Sequence, residues 1–78
     1  MPSFSERLVE LRKAQFLTQK QLAEAIGANE RGIRFYEAGR LPDAEVLIKL
    51  ADFFVVSIDF LVGRSDDPTI YRKDDLNV

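Results

Sequence analysis

The sequence predicts an all-α protein: five short helices in a compact bundle. Apolar residues recur at three- and four-residue spacing in successive stretches, which is the signature of helices that bury one face. A residue suited to capping stands ahead of each stretch, namely Ser3, Thr18, Asn29, Asp43 and Ser57. Glycines at 27, 39 and 63 close three of the stretches, because glycine takes the left-handed conformation that ends a helix.

The first helix starts at Ser3, whose side chain and that of Glu6 have the spacing of a capping box. Phe4, Leu8, Leu11 and Gln15 follow the inward spacing, while Arg7, Glu10 and Lys13 fall on the solvated side. A second capping box, Thr18 with Gln21, starts a helix at Gln19, and Leu17 just before it suits a hydrophobic staple. Leu22, Ala23 and Ile26 form its buried face, and Gly27 stops it. Asn29 caps a third helix in which Ile33, Tyr36 and Glu37 face inward. Glu30, Arg31, Arg34 and Phe35 then project from its opposite face, where the bundle has no use for two arginines and an aromatic ring. After Leu41-Pro42-Asp43, Asp43 caps a fourth helix with Val46, Leu47, Leu50, Ala51 and Phe54 inward. Ser57 caps a fifth, which carries Ile58, Phe60, Leu61 and Val62 and ends at Gly63.

Length and composition narrow the function classes. At 78 residues the chain holds one small domain. Residues 1–64 form the domain, and residues 65–78, where Asp-Asp-Pro breaks the helical pattern, form an acidic tail expected to be flexible or to dock on a second subunit. No apolar run reaches the roughly 20 residues that span a bilayer and no leader-like segment opens the chain, so a cytoplasmic protein is expected. The chain has no cysteine and no histidine, which removes disulfides, thiolate and imidazole chemistry and the usual zinc sites. No phosphate-cradling loop or metal-ligand cluster stands out, so no enzyme, cofactor, metal or small-molecule ligand is expected. The net charge of −2 is unusual for a nucleic-acid binder. The excess acid lies entirely beyond Arg64, however, because residues 1–64 carry equal numbers of basic and acidic side chains. Phosphate attraction depends on local charge, and Arg31, Arg34 and Arg40 cluster around the third helix.

Two helices joined by a short glycine-containing turn, the second with an outward polar face, match the DNA-binding helix-turn-helix. Thr18-Gln19, Leu22-Ala23, Gly27, Ile33, Tyr36-Glu37 and Gly39 together resemble the lambda-repressor-like, Cro-type helix-turn-helix family. Leu8 and Leu11-Arg12-Lys13 upstream, and Pro42, Leu47, Leu50-Ala51, Val56-Ser57, Ile58 and Leu61-Val62-Gly63 downstream, extend the likeness over about residues 4 to 64. The resemblance implies an ion pair between Arg12 and Glu37 that joins the first helix to the third. It also implies base reading by Glu30, Arg31 and Gly32, with Phe35 one turn on. By type, Arg31 suits guanine, Glu30 a cytosine amino group or a neighbouring arginine, and Phe35 either a thymine methyl or a packing role. Gln19 at the start of the second helix suits a phosphate, and Lys20, Arg34 and Arg40 add further phosphate contacts.

The chain departs from the family at two helix ends. Phe16 and Val55 stand where relatives usually carry glycine or another residue tolerant of positive φ. Phe16 therefore implies either a different turn or local strain accepted in exchange for packing, and Val55 puts the geometry of its own turn in question.

The expected function is sequence-specific binding of double-stranded DNA to regulate transcription, as a repressor on a palindromic operator. A homodimer is expected, with Phe53, Phe60, Ile70 and Tyr71 as apolar residues surplus to one small core. The alternative is a protein-interaction module of the same fold, antitoxin-like, with a weakened DNA face; Glu30 and the acidic balance motivate it.

Overall fold

A computed structural model describes residues 1–71. It contains helices α1 (Phe4–Ala14), α2 (Gln19–Ile26), α3 (Glu30–Glu37), α4 (Ala44–Phe54) and α5 (Ile58–Leu61), and no strand among the described residues. Each starts at the expected cap. Ser3 and Glu6, and Thr18 and Gln21, exchange side-chain and backbone bonds as two complete capping boxes. The side-chain oxygens of Asn29, Asp43 and Ser57 accept from Gly32, Val46 and Phe60 N–H at 2.7, 3.0 and 3.0 Å. Such caps typically contribute about 1 kcal/mol each. No helix among the described residues is long and apolar enough to cross a membrane.

The core has a simple rule of construction. Each helix supplies one large side chain that is entirely hidden: Leu8, Leu22, Ile33, Leu50 and Leu61. Phe4, Ala23, Ile26, Ala51, Phe54 and Val56 surround them. A fully buried aliphatic side chain contributes roughly 1.5–3 kcal/mol, so these five contacts tie every helix to one centre. Phe53 and Phe60, read from sequence as surplus, are half-buried against that core, whereas Ile70 and Tyr71 are exposed.

All five helices end in the same backbone reversal, in which a left-handed residue lets the next N–H bond back across the last turn. Gly27, Gly39 and Gly63 occupy that position in α2, α3 and α5. In α1 and α4 it is occupied by Phe16 (φ 57°) and Val55 (φ 56°), and Leu17 and Val56 N–H return to Arg12 and Ala51 carbonyls at 3.2 and 3.0 Å. The two turns thus keep the glycine geometry, and each carries about 1–2 kcal/mol of strain. Phe16 receives no packing in return, since its side chain is 93% exposed.

The structure corrects the placement of Arg7. Its spacing put it on the solvated side with Glu10 and Lys13, but it is only 6% exposed. The Phe60 ring lies 3.8 Å from its guanidinium carbon, and Nη2 donates to Asp66 Oδ1 at 3.3 Å. The cover comes from distant chain that local periodicity does not see. Beyond Arg64, residues 65–71 fold back on the bundle: Ser57 N–H donates to Pro68 O at 3.0 Å, and Tyr71 Oη donates to Asp67 Oδ2 at 2.6 Å. The bond from Tyr71, with others from Thr69, lowers the Asp67 carboxyl to about 2. The rest of the stretch read as a tail, residues 72–78, lies outside the described residues.

Candidate nucleic-acid interface

The site is built on a junction that fixes α3 against α1 and α2. Arg12 donates from Nε and Nη2 to Glu37 Oε2 and Oε1 at 2.6 and 2.9 Å, a two-pronged pair. Its remaining arm, Nη1, donates to Leu17 O at 2.8 Å, across the strained Phe16 turn. Gln19 Nε2 donates to Glu37 Oε1 at 3.0 Å. Both charged side chains are nearly hidden, at 12% and 8% exposed. The bond to Glu37 raises the Arg12 guanidinium above its ordinary range. One carboxylate from α3 therefore holds the end of α1 and the start of α2 together.

With Glu37 tied down and Ile33 fully buried, the rotation of α3 about its axis is set. Glu30, Arg31, Arg34 and Phe35 consequently point to solvent. The ion pairs among the described residues are Arg7 with Asp66, Arg12 with Glu37, Lys49 with Glu45 and Arg64 with Asp59. None engages Lys20, Glu30, Arg31, Arg34 or Arg40, so these outward charges have no ion-pair partner among the described residues. Glu30 does not orient Arg31 or Arg34 through an ion pair, one of the two roles its type allowed.

Gly32 sits half-buried behind this face. Its N–H caps onto Asn29 Oδ1, and a Cβ there would come within 3.3 Å of that same oxygen. Its lack of a side chain preserves the cap and leaves an open cleft of about 450 Å³, lined by Asn29, Arg31, Gly32, Phe35, Arg40 and Asp43. Gly39, at φ 120°, then reverses the chain so that Arg40 N–H bonds back to Phe35 O at 3.0 Å. Arg31 and Arg40 guanidinium carbons lie 5.4 and 5.9 Å from the centre of the Phe35 ring.

The structure thus gathers the predicted base-reading residues Glu30, Arg31, Gly32 and Phe35 with Arg34 and Arg40 around one helix. Gln19 stands apart in one respect: its amide nitrogen is committed to Glu37. The α2 N-terminal N–H groups beside it have no partner in the helix ladder, as in any helix start. Sequence reasoning missed the Phe35 arrangement, although the four-residue spacing of Arg31 and Phe35 was available as a signal.

A glycine-turned helix pair with a rigid inner face and a free cationic outer face defines a helix-turn-helix protein. Residues 8–61 match the helix-turn-helix family model, and the chain belongs to the lambda-repressor-like helix-turn-helix family. It is 47% identical over 60 residues to the cryptic phage CTXphi transcriptional repressor RstR of Vibrio cholerae, covering 76% of this chain and 54% of that protein. It is 34% identical over 76 residues to the HTH-type transcriptional regulator ImmR of Bacillus subtilis, covering 96% and 60% respectively. A crystal structure of a transcriptional regulator from Listeria innocua superposes with a TM-score of 0.75 at 36% identity, over 95% of this chain and 68% of that one. The chain spans little more than half the length of these two curated relatives.

Proposed function

We propose that this chain binds double-stranded DNA sequence-specifically and regulates transcription in the cytoplasm, as a repressor that occupies a palindromic operator as a homodimer. The observation that carries the reading is the outer face of α3: two arginines, a glutamate and a phenylalanine, in no ion pair among the described residues, on a helix whose inner face is locked to the scaffold. Similarity to a phage repressor supports the sign of regulation.

In this reading α3 enters the major groove. Arg31 grips guanine O6 and N7, Glu30 accepts from a cytosine amino group, and Phe35 lies against the groove floor, with Gly32 allowing close approach. Lys20, Arg34, Arg40 and the α2 N-terminus at Gln19 meet phosphates. Of the four residues read as surplus, Ile70 and Tyr71 stay exposed and are available to a partner subunit.

Selection of bound duplexes from a randomised library at low salt, followed by salt titration of the winners, tests the proposal. An inverted repeat with half-sites about one helical turn apart is expected, with affinity falling steeply as salt rises. Absence of any enriched sequence, with the protein folded, would overturn it and favour the protein-interaction module instead.

A further inference from the structure

We propose that Phe35 is a positioning residue whose ring presents two arginines to DNA at once, Arg31 toward a base edge and Arg40 toward the phosphate backbone. The assignment rests on the DNA-binding reading above and adds to it the device that orders its two kinds of contact.

Long exposed arginines are costly to order, and proteins commonly hold them with a carboxylate. A carboxylate, however, occupies the N–H donors and cancels the charge that DNA recognition requires. Here both arginines lie beside a neutral ring. Both guanidinium groups lie within the roughly 6 Å over which a ring attracts a cation, and neither forms an ion pair among the described residues. A ring face engages the guanidinium through its flat side and leaves the donors at its edge free. The backbone supports the same arrangement. Arg31 is four residues ahead of Phe35 on the helix, so their side chains share a face. Arg40 lies past the helix end, and the Gly39 reversal brings it back until its N–H bonds to the Phe35 carbonyl. Phe35 itself is 42% exposed and outside the core cluster, so its ring is spent on the surface rather than on holding the fold.

The test uses Phe35→Leu, which keeps an apolar group and removes the ring, and Phe35→Tyr, which keeps the ring. Two readouts are taken. Without DNA, the Arg31 and Arg40 Nε–H resonances are followed by nuclear magnetic resonance; both should be shifted by the ring in the parent chain and in Phe35→Tyr, and both should move in Phe35→Leu. With the duplex selected by the parent chain, Phe35→Leu should bind roughly fivefold to thirtyfold more weakly. Its salt slope should also become shallower by about 0.9, the loss of one phosphate contact, while Phe35→Tyr, which keeps the ring, keeps the parent salt slope. Unmoved resonances in Phe35→Leu overturn the assignment. So does a loss confined to sites with a thymine methyl and accompanied by an unchanged salt slope, which would make the ring a base contact only. A parent chain that binds no duplex overturns the DNA reading and this assignment with it, whereas duplex binding with unmoved resonances overturns this assignment alone.

Discussion

Arg12, in the last turn of α1, and Arg31, in the first turn of α3, carry the same guanidinium into opposite surroundings. Arg12 is nearly hidden and spends three bonds on the scaffold, two on Glu37 and one on the Leu17 carbonyl. Arg31 is exposed, has no carboxylate partner among the described residues and rests near an aromatic ring. The first arrangement consumes the charge to lock three helices together. The second preserves the charge for something outside the chain. What separates the two arginines is therefore the chemistry of the neighbour, an acid in one case and a neutral ring in the other.

The sharpest way to break the comparison is at the scaffold end. Glu37→Gln keeps the shape but leaves Arg12 charged, nearly buried and uncompensated, and should cost about 3–5 kcal/mol. For a domain of this size that lowers Tm by roughly 12 °C or more, and an unchanged melting curve would show that the pair contributes nothing. At the outer face, Arg31→Ala should leave Tm nearly unchanged while removing about 1–3 kcal/mol of discrimination between the preferred duplex and random DNA, read by competition binding. If Arg31→Ala instead destabilises the fold as much as Glu37→Gln does, the two arginines are not used differently.

Smaller effects sharpen the contrast. Phe16→Gly should stabilise the protein by about 1 kcal/mol, because it relieves the left-handed strain in the turn that Arg12 spans and exposes no core atoms. Thermal melts of Phe16→Gly and the parent chain would check this, and equal Tm values would show that the strain is absorbed elsewhere. Arg40→Ala should weaken binding to preferred and random duplexes alike and reduce the salt slope by about 0.9. A selective loss at the preferred duplex would make Arg40 a base reader.

Much of this was legible locally. All five caps are short-range devices, set by a side chain three residues from its acceptor or donor, so the sequence displays them directly. The left-handed turns at Phe16 and Val55 were legible only as a conflict, since residue type argued against the conformation that the family pattern requires. Arg7 was not legible at all. Its helical position is that of a solvated residue, and its burial depends on Asp66, 59 residues away, and on Phe60 from α5. The same holds for Gln19, whose residue type suits a phosphate but whose amide is drawn to Glu37 from another helix.

By itself the sequence determined where each helix begins, where glycine ends three of them, the apolar stripe that forms most of the core, and which side chains of α3 are left over. These follow from periodicities and capping bonds that span only a few residues. Only the tertiary structure decided which charges are consumed and which remain free, because that depends on what distant chain is brought alongside. Arg12 found a carboxylate, Arg7 a ring and an aspartate, and Arg31 and Arg40 a shared ring that leaves their charge available.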